Sequence, residues 1–470
     1  MLKRLKGFKG LKSSFNCFNL FNPFNCFTLL NLCIFTNFIP HSICMKKILL
    51  IILSAALFSA SIAQTSKSPS QNLKAPGSLS VERLKTADQV IQSWADKGWM
   101  NGGVGLIMRN GKVEYYKAFG YENIEKKTPM RTDHIFRIAS QTKAITSTAV
   151  MMLFEEGRFL LDEPVSKFIP EFKNPKVLDK FNAADSSYTT IPAKREISIR
   201  DLLTHTSGIG YAQIGSSTAK AIYAKNGVVG GIGVKDISLA ESIKNLGGLP
   251  LFHHPGEKYL YGLNTDVLGY LVEVVSGMTL DEFFRKRIFE PLGMKDTYFY
   301  LPKEKQQRLV SLYSHKEGKL KMMEPTYTLS GTFYRDFPNM DFKMFSGGGG
   351  LSSTIMDYGI FLQMMLNGGE YNGVRILSRN SVRMMTQNQI GEISNGNDKF
   401  GLGFGIITAA GSGRLPTNEG TFSWGGMFSS TYWVDPKEKI VGLFFTNIYP
   451  MQFGDIHDRF KVLMYQSIND

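Results

Sequence analysis

Two serine–lysine pairs in this 470-residue chain have a spacing that could place a hydroxyl group beside an amine. Ser140 and Lys143 lie in the stretch FRIASQTKAIT, and Ser217 and Lys220 lie in SSTAK. Residues three apart meet on one face of a helix, so either pair could be a nucleophile with its base. At ordinary serine and lysine frequencies, about two such pairs are expected by chance in a chain of this length. The spacing alone therefore does not choose between them.

The flanking sequence favours Ser140 over Ser217. HIFRIAS indicates an extended segment that ends at Ser140, and KAITSTAVMMLFEEG indicates a long apolar helix that follows it. A serine at this junction would lie at a helix N-terminus, where backbone N–H groups favour developing negative charge. Lys143 could act as the base if its surroundings lower the pKa of the amine. An ordinary helix-capping serine beside a solvated lysine remains the alternative at this point.

The N-terminal part of the chain has the pattern of an export signal. From Met45 it reads MKKILLIILSAALFSASIAQTSKS, with two lysines, an apolar run and a small-residue ending at Ala63. We predict a signal peptide over residues 45–63 and a polar linker over residues 64–79. The apolar run is too short to span a bilayer comfortably. We therefore expect an exported protein, periplasmic or secreted, without a stable membrane anchor after cleavage.

Residues 1–44 precede that expected start and repeat Phe-Asn at short intervals. We predict that they are spurious upstream translation or disordered. All four cysteines lie there, so the mature chain is expected to have neither a disulfide framework nor a thiol nucleophile. Residues 1–63 carry seven of the 54 Lys and Arg residues and none of the 40 acids, so the net charge falls from +14 to +7 without them. Spread over the remaining chain, this charge does not indicate nucleic-acid binding.

Strands are predicted near both ends of the mature chain, with a mainly helical stretch between them. Asn110-Gly111 predicts a hairpin turn, and STYWVDP followed by KIVGLFFTN predicts a second hairpin. GLGFG at 401–405 is predicted to be a strand beside the cleft. Ser80 is predicted to cap a first helix whose apolar stripe comprises Val81, Leu84, Ala87, Ile91 and Trp94. We expect one α/β (α+β) domain over residues 80–470, with an antiparallel sheet from both chain ends, flanking helices and a mostly helical lobe.

Five ordered motifs in this domain resemble the serine β-lactamase and penicillin-recognising superfamily, in particular its class C branch and the related esterases. Five matches in order are far more specific than any one of them. The resemblance implies a β-lactamase/transpeptidase-like fold and an acyl-enzyme formed on a serine. The motifs are SQTK (Ser140 to Lys143), LLTHTSG (Leu202 to Gly208), PGEKYLYG (Pro255 to Gly262), GGGGLSST (Gly347 to Thr354) and WGG (Trp424 to Gly426).

The resemblance also implies a role for each matching residue. Ser140 would attack an acyl carbonyl, and Lys143 together with Tyr261 would pass its proton to the leaving group. The backbone N–H groups of Ser140 and Met427 would form an oxyanion hole. The residues expected to contact the substrate are Trp424, Gly425, Gly426, Leu263 and Asn264.

Two departures from the family's motifs bear on the substrate. The family's third motif often begins with a lysine that binds a carboxylate, and Trp424 stands at that position. Its second motif often reads Tyr-x-Asn, and here Leu263 takes the Asn position with Asn264 one residue later. Both changes favour an apolar ester over an anionic amide. We therefore predict an exported serine hydrolase of carboxylic esters. The alternatives are a β-lactamase or D-amino-acid peptidase, and a non-catalytic penicillin-binding-like sensor module.

The remaining motifs do not predict a cofactor or a metal. GGGG at 347–350 lacks the Gly-Lys-Ser/Thr of a phosphate loop and indicates a close-packed turn. His205 is predicted to bond loop backbone, and the adjacent His253 and His254 do not have metal-ligand spacing. The expected partner is a small-molecule ester or amide, with no nucleic acid, and the sequence does not indicate an oligomeric state.

Overall fold

The computed structural model describes residues 79–329 and 331–470. The predicted upstream segment 1–44, signal peptide 45–63 and nearly all of the linker 64–79 lie outside these residues, so those assignments stay predictions. Within the two described ranges, none of the helices combines the length and the apolar character needed to cross a lipid bilayer.

One eight-stranded sheet joins the two ends of the domain. Its strands, in chain order, are β1 (Gly102–Arg109), β2 (Lys112–Asn123), β3 (Thr128–Pro129), β4 (Lys399–Phe400), β5 (Gly405–Ile406), β6 (Phe422–Gly426), β7 (Ser430–Asp435) and β8 (Ile440–Phe445). Their order across the sheet is β4-β5-β6-β7-β8-β1-β2-β3, and all neighbours are antiparallel. C-terminal β8 pairs directly with N-terminal β1, which confirms the predicted sheet built from both chain ends.

Both predicted hairpins form, whereas the predicted GLGFG strand is only partly present. Asn110 and Gly111 have φ values of 52° and 76°, as a two-residue turn with two left-handed positions requires. β4 ends at Phe400 and β5 begins at Gly405, so most of GLGFG is the turn between two short strands. Gly403 has a φ of 93° in that turn, which a side chain would strain.

Helices pack against both faces of the sheet. Side chains alternate along β8: Leu443 and Phe445 enter the main core, whereas Phe444 packs beneath the first and last helices. A π-helical turn, Arg285–Phe289, joins the helices Leu280–Phe284 and Glu290–Leu292. The helices are α1 (Val81–Asp96), α2 (Thr142–Glu155), α3 (Ile199–Leu203), α4 (Ser217–Lys225), α5 (Leu239–Gly247), α6 (Asn264–Ser276), α7 (Leu280–Phe284), α8 (Glu290–Leu292), α9 (Ile355–Leu366), α10 (Arg379–Met385), α11 (Ala409–Ser412) and α12 (Ile456–Tyr465).

The first helix begins as the sequence predicts. The Ser80 hydroxyl accepts a hydrogen bond from the Arg83 backbone N–H at 3.4 Å. Of the predicted stripe, Val81 is 63% exposed, so the stripe begins one turn later than expected. Its buried members are Leu84, Ala87, Ile91 and Trp94.

The region between β3 and β4 contains most of the helices and also several two-stranded ladders that the sequence did not indicate. One ladder matters for the site, because it leads into α2 and holds the residues that precede Ser140. The ladders are Phe136–Arg137 with Ser352–Ser353, Lys176–Phe181 with Tyr188–Pro192, Tyr313–Lys316 with Lys319–Met322, Thr326–Leu329 with Gly331–Tyr334, and Glu370–Tyr371 with Val374–Arg375.

Candidate active site

Ser140 lies in a single 3-10 turn, Ala139–Gln141, between a short strand and α2. Ala139 has a φ of 43°, a left-handed conformation that costs a residue other than glycine about 1–2 kcal/mol. The chain just before this turn is fixed, because the Ile138 N–H donates to the Leu351 carbonyl at 3.1 Å. The strained turn is therefore held by its surroundings, with the Ser140 side chain half-buried at a cavity.

The Ser140 hydroxyl is in contact with two proton-carrying side chains. The Tyr261 hydroxyl donates to Ser140 Oγ at 2.7 Å, and Lys143 Nζ donates to the same oxygen at 3.3 Å. The capping alternative does not apply, because α2 has no side-chain cap hydrogen bond at its N-terminus. The structure thus brings together the three residues predicted to carry the chemistry.

Lys143 is buried on α2, with 2% of its surface exposed. Its Nζ donates to the Gly348 carbonyl at 2.6 Å and to the Tyr211 hydroxyl at 3.0 Å. The same nitrogen lies 4.7 Å from the centre of the Tyr261 ring, within the range of a cation–π contact. These contacts hold the amine in one place beside Ser140.

Opposing effects set the protonation state of Lys143. Burial is the largest single effect, and it lowers the pKa of Lys143. Negative charge on Tyr211, Tyr261 and Asp266 raises this pKa. When burial and the three charges act together, the pKa of Lys143 lies above its usual value. Burial also raises the pKa of Tyr211, so this phenol is protonated and uncharged at neutral pH. What then opposes desolvation is chiefly the Asp266 carboxylate. The net direction is upward, so Lys143 is protonated at neutral pH, in agreement with its three donated hydrogen bonds. The expectation that its surroundings lower this pKa is wrong, and Lys143 must lose a proton before it can accept that of Ser140.

Asp266 reaches Lys143 through the glycine turn at 347–350. Its Oδ1 accepts from the Ser346 hydroxyl at 2.6 Å and from the Gly348 N–H at 3.1 Å, and the Gly348 carbonyl in turn accepts from Lys143. A Cβ on Gly348 would overlap with the Asp266 carboxylate, so this position requires glycine. Burial raises the pKa of Asp266, and Lys143 opposes that rise. The close-packed turn therefore couples a buried acid to the buried amine.

Leu263 and Asn264 do not reach the cavity. Leu263 is 2% exposed and Asn264 is fully buried at the first position of α6. The Asn264 amide accepts from the Ser207 hydroxyl and contacts His205 Nδ1 at 2.9 Å. These bonds attach α6 to the loop that contains His205, whose ring nitrogen also accepts from the Gly262 N–H at 3.4 Å. The expected substrate contacts of Leu263 and Asn264 are thus corrected to a supporting position behind the cavity wall.

A cavity of about 460 Å³ opens beside Ser140. Among the described residues, the ten that line it include neither an acidic nor a basic side chain. Five of the ten were expected from the sequence, and Gly426 is not among the lining residues. The cavity is lined by Ser140, Tyr211, Gln213, Ile214, Ile232, Tyr261, Trp424, Gly425, Met427 and Tyr449.

The end of β6 packs against the turn that carries Ser140. A Cβ on Gly426 would overlap with the Ile138 carbonyl, whereas a Cβ on Gly425 would meet only the Ser430 carbonyl, at 3.3 Å. Gly426 is therefore needed for packing, and Gly425 borders the cavity. Met427 follows on the same cavity wall as Ser140, as the predicted oxyanion hole requires, and that role stays a prediction.

The predicted non-catalytic histidines have ordinary partners. His253 Nδ1 lies 2.8 Å from the His254 carbonyl, and His254 Nδ1 accepts from the Lys194 N–H at 3.2 Å. Within the described ranges, no group of three or more His, Cys, Asp or Glu residues is placed to hold a metal ion.

Comparison with known proteins assigns the fold and the site to one family. The β-lactamase family model matches residues 87–464. The chain belongs to the β-lactamase family. It is a serine hydrolase with the β-lactamase/transpeptidase fold, which confirms the predicted family and fold class.

Two similar proteins are esterases by name, and a similar solved structure is a hydrolase. Esterase EstB of Burkholderia gladioli is 30% identical over 357 residues, covering 74% of this chain and 86% of that protein. Lovastatin esterase of Penicillium rubens is 30% identical over 383 residues, covering 76% of this chain and 91% of that protein. A solved structure of EstCE1, described as a hydrolase with promiscuous acyltransferase activity, has a TM-score of 0.71 at 26% identity, covering 82% of this chain and 99% of that one.

Half of the residues in the cavity wall, and the acid behind it, were not predicted from the sequence. Tyr211 lies three residues after LLTHTSG, and Asp266 lies five residues after Tyr261. Their closeness to recognised motifs could have indicated that Tyr211 and Asp266 lie at the site. Ile232 and Tyr449 have no such signal, because they come from segments far from any motif.

Proposed function

We propose that this protein hydrolyses carboxylic esters through an acyl-enzyme on Ser140. The observation that carries the proposal is the pair of hydrogen bonds at Ser140 Oγ, from Tyr261 at 2.7 Å and from buried Lys143 at 3.3 Å. A serine hydroxyl becomes a useful nucleophile when a neighbouring base takes its proton, and both groups are within transfer distance.

The acylation step requires the enzyme form in which Lys143 has lost its proton. Ser140 Oγ then forms a bond to the ester carbonyl carbon while its proton passes to the Lys143 amine. The carbonyl electron pair moves onto oxygen, where the N–H groups of Ser140 and Met427 stabilise it. When the carbonyl re-forms, the ester C–O bond breaks, and the alcohol leaves with a proton delivered through Tyr261. Water then attacks the acyl-enzyme by the same route, which releases the acid and restores Ser140.

The neutral, mostly apolar cavity supports an ester substrate. A carboxylate-bearing amide would lose its hydration on entry and meet no cationic side chain among the lining residues. Trp424 instead offers an aromatic face, with its ring centre 5.5 Å from that of Tyr261. The names of EstB and lovastatin esterase agree with this assignment.

Export is part of the proposal, and it rests on the sequence pattern of residues 45–63. Secretion of the full chain by a bacterial host, followed by N-terminal sequencing, tests it. A mature N-terminus just after Ala63 is expected, and an intact chain that keeps residues 45–63 in the cytoplasm would overturn it.

The substrate class is tested by comparing short-chain p-nitrophenyl esters with a chromogenic cephalosporin on residues 64–470. We expect kcat/KM for the esters to exceed that for the cephalosporin, and both activities to disappear in Ser140→Ala. Fast cephalosporin turnover with negligible ester cleavage would instead favour the β-lactamase alternative. Turnover of neither substrate, together with release of D-alanine from a D-Ala-D-Ala peptide, would favour the peptidase.

Acyl transfer to an alcohol is a second candidate activity of the same site. The apolar cavity favours an organic alcohol over water as the acyl acceptor, and the EstCE1 description names acyltransferase activity. Adding 1-butanol to a p-nitrophenyl butyrate assay should give butyl butyrate. Butyric acid as the sole product at all alcohol concentrations would limit the enzyme to hydrolysis.

A further inference from the structure

One side chain of the cavity wall comes from the glycine-rich segment 226–236, and the mechanism above gives it no role. Ile232 is 4% exposed and lines the cavity. Its terminal methyl group occupies the space that a side chain on Gly349 would need, and the Ala139 carbonyl carbon lies 3.8 Å from the same point. Ile232 is therefore a near neighbour of the turn that carries Ser140.

The two glycines beside Ile232 fix its direction. Gly231 and Gly233 have φ values of 80° and 62°, which disfavour any side chain. A Cβ on Gly231 would lie 2.9 Å from the Ser346 hydroxyl, and one on Gly233 would lie 2.7 Å from the Phe333 ring. The backbone on each side is thus pressed against the residues behind it, and the Ile232 side chain has little freedom to withdraw.

The residues that line the cavity fall into two groups, one suited to contact the leaving alcohol and one suited to contact the acyl chain. The leaving alcohol must lie near Tyr261, because this hydroxyl contacts Ser140 Oγ and passes the proton. The acyl chain, bonded to the same carbonyl carbon, then extends away from Tyr261 toward the second group of lining residues. There Ile232, Met427 and Tyr449 share one apolar cluster, whereas Tyr261 packs against a different one.

We propose that Ile232 forms the end wall of an acyl pocket and restricts the enzyme to esters of short-chain acids. This inference rests on the proposed ester hydrolysis at Ser140. Behind Ile232 the cluster is closed by Phe333, Phe337 and Phe428, each 2% exposed or less, so it offers no further room for a chain. Ile232→Ala removes about three methylene-sized groups from the wall, and one methylene changes selectivity by about tenfold or more.

Chain-length selectivity of paired variants tests this assignment. The substrates are p-nitrophenyl acetate, butyrate, hexanoate and octanoate, and the readout is the hexanoate-to-acetate ratio of kcat/KM. Ile214 provides a matched control, because it lines the same cavity but is 58% exposed at its mouth. We expect Ile232→Ala to raise the ratio by about tenfold or more, with Ile232→Val in between, and Ile214→Ala to leave the ratio unchanged. An equal rise in both alanine variants, or no graded rise from Val to Ala, would overturn the proposal.

A second substrate series separates the acyl side from the alcohol side. Acetate esters of increasingly long alcohols should show the same preference in the wild type and in Ile232→Ala. A change confined to this series would place Ile232 on the alcohol side and contradict the proposal. Turnover of p-nitrophenyl acetate by the wild type tests the proposed function separately. If the wild type cleaves no ester, both the proposed ester hydrolysis and the role of Ile232 are overturned. If it cleaves esters but Ile232→Ala leaves the chain-length ratio unchanged, only the role of Ile232 is overturned.

Discussion

The two serine–lysine pairs share a spacing and differ in everything else. Ser140 and Lys143 lie at the start of a helix that is buried on nearly all sides, and Lys143 has defined hydrogen-bond partners there. Ser217 and Lys220 are both exposed on α4, and it is Ser216 that caps this helix, accepting from the Ala219 N–H at 3.1 Å. Burial and contact with Tyr261, rather than spacing, support the first pair as the proposed reactive site.

The largest effect is expected from removing each serine in turn. Ser140→Ala should lower ester turnover by about four orders of magnitude or more, because the nucleophile is lost. Ser217→Ala should leave kcat/KM within about twofold of the wild type, as expected for an exposed surface position. Steady-state kinetics with p-nitrophenyl butyrate measures kcat/KM of both variants. Comparable losses of kcat/KM in Ser140→Ala and Ser217→Ala would contradict the assignment of Ser140, rather than Ser217, as the nucleophile.

The two lysines provide the next contrast. Lys143→Met keeps an apolar chain of similar length but loses the base, so we expect kcat to fall by roughly 10²–10⁴-fold. Lys220→Met should have no effect on kcat. Thermal unfolding of both variants controls for folding. A mild loss in a folded Lys143→Met enzyme would assign the base role to Tyr261 alone.

A smaller contrast separates Tyr261, which hydrogen-bonds to Ser140, from Tyr211, which hydrogen-bonds to Lys143. Tyr261→Phe should lower kcat by about 10²-fold, because proton transfer to the leaving group is lost. Tyr211→Phe removes one hydrogen bond to the amine, and about a tenfold loss is expected. The reverse order of effects would show that Tyr211 carries the proton.

The smallest effect is a shift in pH dependence. Tyr211, Tyr261 and Asp266 act on the charge of Lys143, and the Asp266 carboxylate raises its pKa. Asp266→Asn removes that charge, so Lys143 should lose its proton at lower pH. The acid limb of kcat/KM should therefore move down by about one pH unit.

Ser346→Ala is the matched control for the pH experiment. It removes a hydrogen bond to Asp266 without removing the charge. We expect its acid limb to stay within a few tenths of a pH unit of the wild type. An upward shift in Asp266→Asn, or equal shifts in both variants, would show that Asp266 does not act on Lys143 by its charge.

The sequence was sufficient for the parts of the site that sit at the ends of regular elements. Ser140, Lys143, Tyr261 and Trp424 were predicted from the resemblance of their ordered motifs to the serine β-lactamase superfamily, and each motif lies within or beside a single helix, loop or strand. The hairpins and the joining of both chain ends in one sheet follow from period-two patterns and from the Asn-Gly turn.

Residues on irregular segments could not be placed in this way. Ile232 and Tyr449 reach the cavity only because the chain folds back on itself, and no local period describes such a path. Asn264 shows the opposite failure: it lies three residues after Tyr261 in the sequence, but its side chain is fully buried at the first position of α6. Its amide is therefore directed to His205 and Ser207 rather than to the substrate.

The measurement that tests the central claim most directly is fluorophosphonate labelling of residues 64–470, followed by mass spectrometry of the labelled peptides. We predict a single label, located on Ser140, with none on Ser217 and none anywhere in Ser140→Ala. A label on Ser217, or labelling that persists in Ser140→Ala, would contradict the assignment of Ser140 as the nucleophile.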